Sequence, residues 1–403
     1  MDLKSGYPFW AVKNGLMRPF PPLRRDLRCD IAVVGGGITG ALIADHLAGQ
    51  GFDVAVVEKR DVGWGSTAAS TALIQYEIDT HLTDLTKRYG EIAAVLAYRS
   101  CVTAIADLRA LAKSIGNVDF SMQKSLYYAS HPRDAGSLRD EYKLRRKHGF
   151  HVDWLDIKSM KANYDLDAPC AILSHVAARL DPYRMAHRLL GRLVNRGGQV
   201  YDRTDVESIA PSARGVELRT TAGARIKCNH LILAAGYESQ RWLRRRVAQN
   251  RSSYAFVTDP IDSAALGFLG YTLTWESARP YLYLRSTREG RLLVGGEDDR
   301  IDIPARRDRR VESKTLTLAS KVQRLYPALP VTPAFSWAGT FAETKDGLPY
   351  FGPHAQYGPR VHFAMAYGGN GITYSMIGAK LLCNRIERRK QPLDGLFSFD
   401  RLR

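Results

Sequence analysis

A glycine-rich turn near the start of the sequence has the spacing of a phosphate-binding loop. Residues 33–40 read Val-Val-Gly-Gly-Gly-Ile-Thr-Gly, so Gly35, Gly37 and Gly40 supply a GxGxxG pattern. The first glycine permits a tight turn, the second lets the backbone approach a pyrophosphate, and the third lets a helix pack close to a strand. Alone this pattern is weak, because an accidental glycine turn can match it.

The surroundings of the turn strengthen the prediction. A helix beginning at Ile38 and Thr39 would direct unpaired amide groups and a positive dipole end at phosphates. Glu58 follows at the end of the next apolar strand, about 20 residues on, where a carboxylate accepts hydrogen bonds from ribose hydroxyls and repels a 2′-phosphate. The sequence therefore predicts a dinucleotide site that includes Glu58 and its neighbour Lys59, and it disfavours NADP.

Three further stretches favour FAD over NAD. Residues 62–71, Val-Gly-Trp-Gly-Ser-Thr-Ala-Ala-Ser-Thr, are small enough to lie against a flat ligand, and their hydroxyls can cap a helix and donate to a pyrophosphate. Residues 231–236 form an apolar strand ending in Ala-Ala-Gly, and residues 367–373, Tyr-Gly-Gly-Asn-Gly-Ile-Thr, precede a second helix whose dipole suits the N1–C2=O edge of a reduced flavin. Each stretch also has an ordinary structural interpretation: a small-residue loop for residues 62–71, a strand terminus for residues 231–236 and a glycine-rich connector for residues 367–373.

Aromatic residues in the second half of the chain are candidates for a substrate cage. Tyr281, Tyr283 and Arg285 share one face if residues 281–285 form a strand, and Arg285 could then pair with a substrate carboxylate. Tyr254, Tyr283 and Arg285 are the predicted catalytic residues, with Trp275 as a further wall. Ordinary sheet packing for the tyrosines and an exposed sheet position for the arginine are the alternatives. The histidines form no metal-binding pattern, so no metal site is expected.

The elements that must position these residues follow from periodicity and punctuation. Residues 30–34 and 53–58 are predicted strands flanking a helix over about 38–49, which together make a βαβ unit. Further helices are predicted over 71–89, 91–115, 183–195, 313–326 and 373–388, an antiparallel sheet over 250–300, and an arm with little regular structure over 1–28. The predicted fold class is α/β (α+β), a Rossmann-like domain with a mixed sheet plus a domain with an antiparallel sheet.

Composition restricts the class of protein. The chain has 403 residues, 45% of them hydrophobic, without an apolar run long enough to span a membrane and without a secretory signal, so a cytoplasmic location is expected. The five cysteines are an odd number and widely spaced, which supports neither a disulfide framework nor a zinc site. The net charge of +17 leaves four interpretations: a solvated basic surface, or attraction of an anionic substrate, an anionic membrane or RNA. No nucleic-acid-binding motif accompanies the charge.

Taken in order, the motifs resemble the D-amino-acid oxidase and glycine oxidase superfamily of FAD-dependent oxidoreductases over roughly residues 30 to 390. The resemblance rests on six stretches. They are the glycine turn with Glu58, the Gly-Trp-Gly-Ser-Thr segment, and residues 231–236, 290–296, 345–352 and 367–373. The Gly-Trp-Gly motif and the N-terminal arm, which carries the aromatic residues Tyr7, Phe9 and Trp10, are similar to the gamma-glutamylputrescine oxidase-like branch. The resemblance implies a discontinuous FAD domain at 1–90, 160–245 and 335–403, and a substrate domain at 91–159 and 246–334.

The resemblance also implies cofactor contacts. Val206 would contact the adenine through its backbone. The residues that would run along the pyrophosphate and flavin and complete the site are Trp64, Gly65, Ser66, Thr67, Thr71, Ala72, Leu73, Ala235, Gly236, Gly369, Asn370, Gly371, Ile372 and Thr373.

Three positions depart from relatives in the superfamily. Gly339 occupies the place of a flavin-linking cysteine, so FAD is expected to be non-covalent. Leu293 occupies the place of an oxygen-activating lysine, which leaves oxidase and dehydrogenase both open. Phe341 occupies the place of an arginine that anchors a substrate carboxylate in glycine oxidase-like members.

The family chemistry predicts oxidation of an amine or amino acid at its C–N bond, by hydride transfer to flavin N5, with O2 or another electron acceptor. Two alternatives remain open, a dehydrogenase of an anionic hydroxy compound of the 2-hydroxy-acid or glycerol-phosphate type, and an RNA-modifying flavoprotein.

Overall fold

The computed structural model describes residues 2–15, 17–300 and 302–402. Within them the chain forms two β-sheets flanked by α-helices. The strands are β1 Lys4–Gly6, β2 Leu27–Val34, β3 Val54–Val57, β4 Leu73–Gln75, β5 Ser121–Tyr128, β6 Val152–Asp156, β7 Cys170–Arg179, β8 Gln199–Tyr201, β9 Val206–Pro211, β10 Val216–Thr220, β11 Arg225–Leu233, β12 Gln249–Pro260, β13 Thr272–Glu276, β14 Leu282–Ser286, β15 Arg291–Asp299, β16 Pro333–Glu343, β17 Tyr350–Pro353 and β18 Val361–Met365. The helices are α1 Phe9–Asn14, α2 Ile38–Gly49, α3 Ser66–Ala69, α4 Leu82–Tyr89, α5 Glu91–Ile115, α6 Ala135–Lys147, α7 Ile157–Tyr164, α8 Pro182–Asn195, α9 Ser263–Leu266, α10 Pro304–Leu325 and α11 Gly371–Ile386.

The first sheet contains the glycine turn. Its order is β17-β18-β11-β2-β3-β8, and the strands from β18 to β8 run parallel. β10 pairs antiparallel with β11, and β9 pairs antiparallel with β10. Parallel strands covered on both faces need continuous apolar runs, and Val33, Val56 and Leu233 are fully buried. The helix α2 packs closely because Ala41 and Ala44 are small and fully buried. The predicted βαβ unit is confirmed.

The second sheet contains the remaining strands. Its order is β1-β16-β12-β15-β14-β13-β5-β7-β4, with β6 beside β7. The strands within residues 250–300 pair antiparallel, as the alternation predicts, and β13 joins β5 in a parallel ladder. One face of this sheet packs on α10 through Leu318 and Val322, both fully buried. The other face is therefore free to face the first sheet. The mixed α/β fold class is confirmed.

Two element predictions were wrong in part. Residues 71–81 are not helical, because Ala72 has a left-handed backbone (φ 51°) and Leu73–Gln75 pairs antiparallel with β7. Pairing in a sheet outweighs a local preference for helix in so short a stretch, and only Leu82–Tyr89 of the predicted helix remains. The arm over 1–28 contains β1, which pairs with β16, and the short helix α1.

The proposed division into domains does not coincide with the two sheets. The strands β1, β4 and β7 belong to the second sheet although they were assigned largely to the FAD domain, so the domain boundaries stay a prediction. No helix in the described ranges is long and apolar enough to cross a membrane. The five cysteines are buried and free. Among the residues that the structure covers, no three His, Cys, Asp or Glu side chains are grouped to hold a metal ion.

Candidate cofactor and substrate site

The glycine turn is built by close contacts between backbones. A side chain on Gly35, whose φ is +117°, would place its Cβ 2.3 Å from the carbonyl oxygen of Ala234 at the end of β11. A side chain on Gly40 would place its Cβ 1.9 Å from the carbonyl oxygen of Gly35. Only hydrogen fits at either position, so β2, β11 and the first turn of α2 converge on one point, and the start of α2 faces a long cleft between the two sheets.

One end of this cleft carries Glu58. Its Oε2 accepts a hydrogen bond from the Gly36 amide at 2.8 Å, and its Oε1 accepts one from the Arg60 amide at 2.9 Å. Burial raises the pKa of Glu58, and the two amide hydrogen bonds oppose that rise. Lys59 Nζ donates to Glu238 Oε1 at 2.7 Å, and Arg60 Nη1 donates to Glu238 Oε2 at 3.0 Å. The carboxylate of Glu58 is thus fixed in the cleft wall.

A segment of small residues, Gly65–Leu73, runs along the floor of the cleft and is called here the cofactor loop. Thr67 Oγ1 accepts a hydrogen bond from the Ile38 amide at 2.9 Å, which ties α3 to the start of α2. Ser66 Oγ is buried and has no hydrogen-bond partner among the described residues. Trp64 lies outside the cleft, with the Lys4 ammonium 4.1 Å from its ring centre.

Three side chains hold three successive carbonyl groups of the cofactor loop. Trp337 Nε1 donates to Ala69 O at 2.9 Å, Trp10 Nε1 donates to Ser70 O at 2.7 Å, and Arg285 Nε donates to Thr71 O at 2.6 Å. These donors come from β16, α1 and β14, so strands of the second sheet and the N-terminal arm fix the loop from behind. Buried donors that each find an acceptor leave the loop little freedom.

Arg285 therefore has a different position from the one its sequence suggested. Its side chain is 1% exposed, does not line the cleft, and donates a second hydrogen bond from Nη2 to Leu180 O at 3.1 Å. Its guanidinium lies 4.9 Å from the centre of the Trp10 ring, and desolvation lowers its pKa to about 9. The structure does not bring this arginine to a position where it could pair with a substrate carboxylate.

The start of α11 forms the third side of the cleft. Asn370 Nδ2 donates to Gln75 O at 3.1 Å and to Glu77 O at 2.9 Å, and the Gly369 amide donates to Asp79 Oδ2 at 2.8 Å. Thr373 Oγ1 also turns away from the cleft and donates to Gln75 O at 3.1 Å. These bonds clamp the glycine turn of residues 368–371 to the segment after the cofactor loop, and the first amides of α11 face the cleft.

Aromatic rings from the second sheet cover the remaining wall. Tyr281, Tyr283 and Trp275 line it, and the Tyr283 hydroxyl lies 3.3 Å from Ser253 Oγ. Trp275 stacks on Tyr127 with ring centres 3.8 Å apart. Burial raises the pKa of Tyr283 to about 12, so its hydroxyl stays protonated at neutral pH.

Tyr254 is part of the cleft wall, but its side chain points into the apolar cluster packed on α10. Its hydroxyl donates to Asp299 Oδ2 at 2.8 Å, and the Lys314 ammonium lies 5.4 Å from its ring centre. The alternation of β12 explains this, because Ser253 and Ala255 on either side face the opposite way. The sequence identified the right strand and the wrong face.

Carboxylates were the main feature that sequence reasoning missed. Glu77, Asp79, Asp298 and Glu343 all line the cleft near the aromatic wall. Single acidic residues in unrelated segments carry no local pattern, so only the fold reveals that they meet. Desolvation raises the pKa of Asp298 to about 6.

Most of the predicted site residues line this one cleft. Those that do are Gly35, Gly37, Ile38, Thr39, Glu58, Lys59, Gly65, Ser66, Thr67, Thr71, Ala72, Leu73, Val206, Ala235, Gly236, Gly369, Asn370, Gly371, Ile372, Tyr254 and Tyr283. Gly40 packs behind the turn, and Trp64, Arg285 and Thr373 direct their side chains elsewhere.

A glycine turn between a parallel strand and a helix, an acidic residue at the next strand end and an aromatic wall opposite define a dinucleotide-dependent oxidoreductase. The family model described as FAD dependent oxidoreductase (DAO) matches residues 30–385, and the chain belongs to that family. It is therefore an oxidoreductase whose cofactor is FAD, and the superfamily resemblance seen in the motifs is confirmed.

Individual relatives are distant but extend over nearly the whole chain. The gamma-glutamylputrescine oxidoreductase of Escherichia coli K12 is 23% identical over 395 residues, covering 96% of this chain and 90% of its own. The glycine oxidase of Geobacillus kaustophilus is 26% identical over 375 residues, covering 91% and 95%. The structure of an L-amino acid deaminase from Proteus myxofaciens superposes with a TM-score of 0.79 at 14% identity, covering 100% of this chain and 98% of that one.

The residues present fit FAD. Gly37, Ile38 and Thr39 at the start of α2 line the cleft, and Ser66 Oγ is a buried hydroxyl without a partner in the described chain. A buried polar atom without a partner costs stability, so such an atom beside a phosphate site indicates a ligand. The cleft continues from Glu58 to the aromatic wall without interruption, as a ligand with two separated ring systems requires.

Proposed function

We propose that this protein oxidises an amine or amino acid at a C–N bond and releases an imine. Bound FAD supplies the oxidant, accepting from the carbon a hydride, that is two electrons and one proton, at N5. The nitrogen lone pair forms the new C=N bond, so the substrate must enter this step as the neutral amine. The names of the relatives, an oxidoreductase of gamma-glutamylputrescine and an oxidase of glycine, support this reaction class.

The residues of the cleft suggest how FAD would lie. Glu58 and the backbone of Val206 would hold the adenosine. Gly37–Thr39 with Ser66 and Thr67 would hold the pyrophosphate, where α2 contributes a positive dipole end. The flavin ring would lie between the cofactor loop and residues 369–372, with the first amides of α11 at the edge that becomes negative on reduction.

The observation that carries the proposal is the aromatic wall facing the cofactor loop. Tyr281, Tyr283 and Trp275 line the same cleft as Thr71–Leu73. An apolar wall excludes water, and desolvation of the substrate favours the neutral amine over the ammonium form. Proton loss before hydride transfer can then occur without a dedicated strong base.

We propose further that FAD is held without a covalent bond. Among the described residues that line the cleft there is neither a cysteine nor a histidine, and Gly339 lies in the wall without a side chain. Acid precipitation should release the flavin quantitatively into the supernatant.

Oxidation of a glycerol phosphate or 2-hydroxy acid is less compatible with this cleft. Such substrates are anions and need a cation near the flavin. The described lining residues with a positive charge are Lys59, Arg60 and Arg241, and all three lie at the Glu58 end, bound to Glu238, Asp205 or Val206.

Anaerobic mixing with a panel of substrates tests the reaction class. Amines, α-amino acids, 2-hydroxy acids and glycerol 3-phosphate are each mixed with oxidised protein, and bleaching of the flavin band at about 450 nm is followed. We expect bleaching by a member of the first two groups. Bleaching only by the hydroxy compounds, or by no member, would overturn the proposal. The rate at which reduced protein regains its colour in air then separates oxidase from dehydrogenase.

A further inference from the structure

The substrate end of the cleft is negatively charged. Glu77 and Asp79 follow β4, Asp298 lies near the end of β15, and Glu343 ends β16. Segments that are far apart in sequence therefore each place a carboxylate beside the aromatic wall. The positive charges of the described lining lie at the other end, where carboxylates or carbonyl groups already bind them.

Two of these carboxylates have partners in the structure. Glu343 forms an ion pair with Arg251. Asp79 accepts the Gly369 amide hydrogen bond, and Arg279 Nη2 lies 3.5 Å from the Asp79 carbonyl oxygen. Arg279 itself lies over the Tyr281 ring, 3.4 Å from its centre, on the exposed side of the wall.

The other two keep oxygen atoms without a hydrogen-bond partner among the described residues. Glu77 is 2% exposed, and both of its carboxylate oxygens lack a donor. Arg145 forms an ion pair with Glu77, with Nη1 and Oε1 3.8 Å apart, but donates its hydrogen bond from Nε to Glu141 Oε1 at 2.8 Å. Asp298 Oδ1 is buried and without a donor.

Carboxylates that are buried and lack donors are costly, and a protein retains them where a ligand completes them. The missing partners must be cations or strong donors, because a carboxylate only accepts hydrogen bonds. FAD offers hydroxyl and N–H donors but no cation, so its binding would not neutralise the charge of these groups. A positively charged group of the substrate would.

The described lining also offers no cation near the aromatic wall to receive a substrate carboxylate. Phe341 lines the cleft there, and Arg285 is committed to the carbonyl groups of Thr71 and Leu180. An α-amino acid would thus bring its carboxylate next to Glu77 or Asp298 without a lining cation to receive it.

We propose that the substrate is a cationic amine of the diamine class, with no carboxylate on the reacting carbon, and that Glu77 and Asp298 bind its positive charge. This rests on the proposed oxidation of a C–N bond and specifies its substrate class. The reacting amine loses its proton before oxidation, while a second ammonium group remains charged and pairs with a carboxylate.

Matched substrates test the class. The efficiency of flavin reduction is compared for 1,4-diaminobutane, butylamine, 4-aminobutyrate and glycine under anaerobic conditions. We expect the diamine to exceed butylamine, and to exceed both carboxylate-bearing compounds by at least about tenfold, a factor that one good charge-assisted hydrogen bond can supply. Equal or better reduction by glycine or 4-aminobutyrate would overturn the proposal.

Two variants test the residues. Asp298→Asn and Glu77→Gln remove one negative charge each and preserve volume, and Glu312→Gln makes the same charge change at an exposed position on α10. Bound FAD and thermal midpoint are measured first. We expect each cleft variant to lose about tenfold in efficiency with the diamine and less than threefold with butylamine, and the control to lose nothing. If Glu77→Gln fails to fold, Asp298→Asn still decides, and an equal loss for both amines contradicts recognition of charge.

A binding measurement separates this proposal from the proposed reaction. The dication hexamethonium, which cannot lose a proton, and the dianion adipate are titrated into holoprotein while the flavin spectrum is followed. We expect the dication to bind at least about tenfold more tightly, and tighter binding of the dianion overturns the proposal. A protein that binds the dication but is reduced by no amine would leave the charge preference supported and the reaction class wrong. Efficient reduction by α-amino acids alone would leave the reaction class supported and the diamine proposal wrong.

Discussion

At the scale of single residues, the structure changes how the chemically active side chains are assigned. Sequence reasoning chose Tyr254, Tyr283 and Arg285, and only the Tyr283 side chain points into the cleft. Strand alternation predicted the shared face of Tyr281, Tyr283 and Arg285 but not that this face continues beyond the edge of the cleft. No sequence pattern marks Glu77 or Asp298 as a site residue, because a single carboxylate can be assigned to a site only from the residues that the fold places around it.

Asp298 gives a pH prediction. Burial raises its pKa to about 6, the Ser253 hydroxyl and Arg279 favour the charged form, and Glu343 and Asp79 disfavour it. A raised carboxyl pKa means that the charge is present above about pH 6 and is lost as the pH falls through that value. The dissociation constant of hexamethonium, whose own charge does not titrate, should rise about tenfold between pH 7 and pH 5. The measurement is repeated with Asp298→Asn, which should lack this rise, and an unchanged profile in that variant would assign the effect to another group.

At the scale of elements, the cofactor loop depends on donors that the sequence did not reveal. Trp10 of the N-terminal arm is 1% exposed, so the arm packs on the body of the protein. Its hydrogen bond to Ser70 O was not predictable, since it requires α1 to lie behind a loop 60 residues away.

Trp10→Phe removes that donor and keeps most of the ring. We expect the free energy of unfolding to fall by about 1–3 kcal/mol, because the Ser70 carbonyl loses its buried partner. FAD affinity should fall as well, since the loop becomes less ordered. Thermal unfolding and a fluorescence titration of apoprotein with FAD measure the two effects. Tyr7→Phe, on the same arm but 73% exposed, is the control and should change neither.

The contact of α2 with the glycine turn gives a sharper test. Gly40→Ala places a Cβ 1.9 Å from the Gly35 carbonyl oxygen, so either α2 or the turn must move. We expect a loss of about 1–3 kcal/mol in unfolding free energy and a protein purified with little flavin. Gly136→Ala, in α6 with no atom within 4 Å of the new Cβ, should be neutral or stabilise by about 0.4–1 kcal/mol. Equal behaviour of the two variants in a denaturant titration would contradict the close contact.

At the scale of the whole molecule, charge is distributed unevenly. The chain carries a net charge of +17, yet the substrate end of its cleft is lined by carboxylates. The net charge left an anionic substrate among its interpretations, because composition cannot distinguish the outer surface from an interior wall. The fold class and the cofactor were predictable from the sequence, since periodicity and the glycine turn are local signals repeated over many residues.

Residues from distant parts of the sequence meet at the cleft. Trp10 holds the loop from one side, and Gly369–Ile372 close the cleft from another. A ribosome delivers the amino end first, so a growing chain does not complete the cleft until residue 372 has emerged. Uptake of the vitamin-derived cofactor must therefore be a late event in maturation, and riboflavin starvation should leave full-length apoprotein rather than stalled fragments.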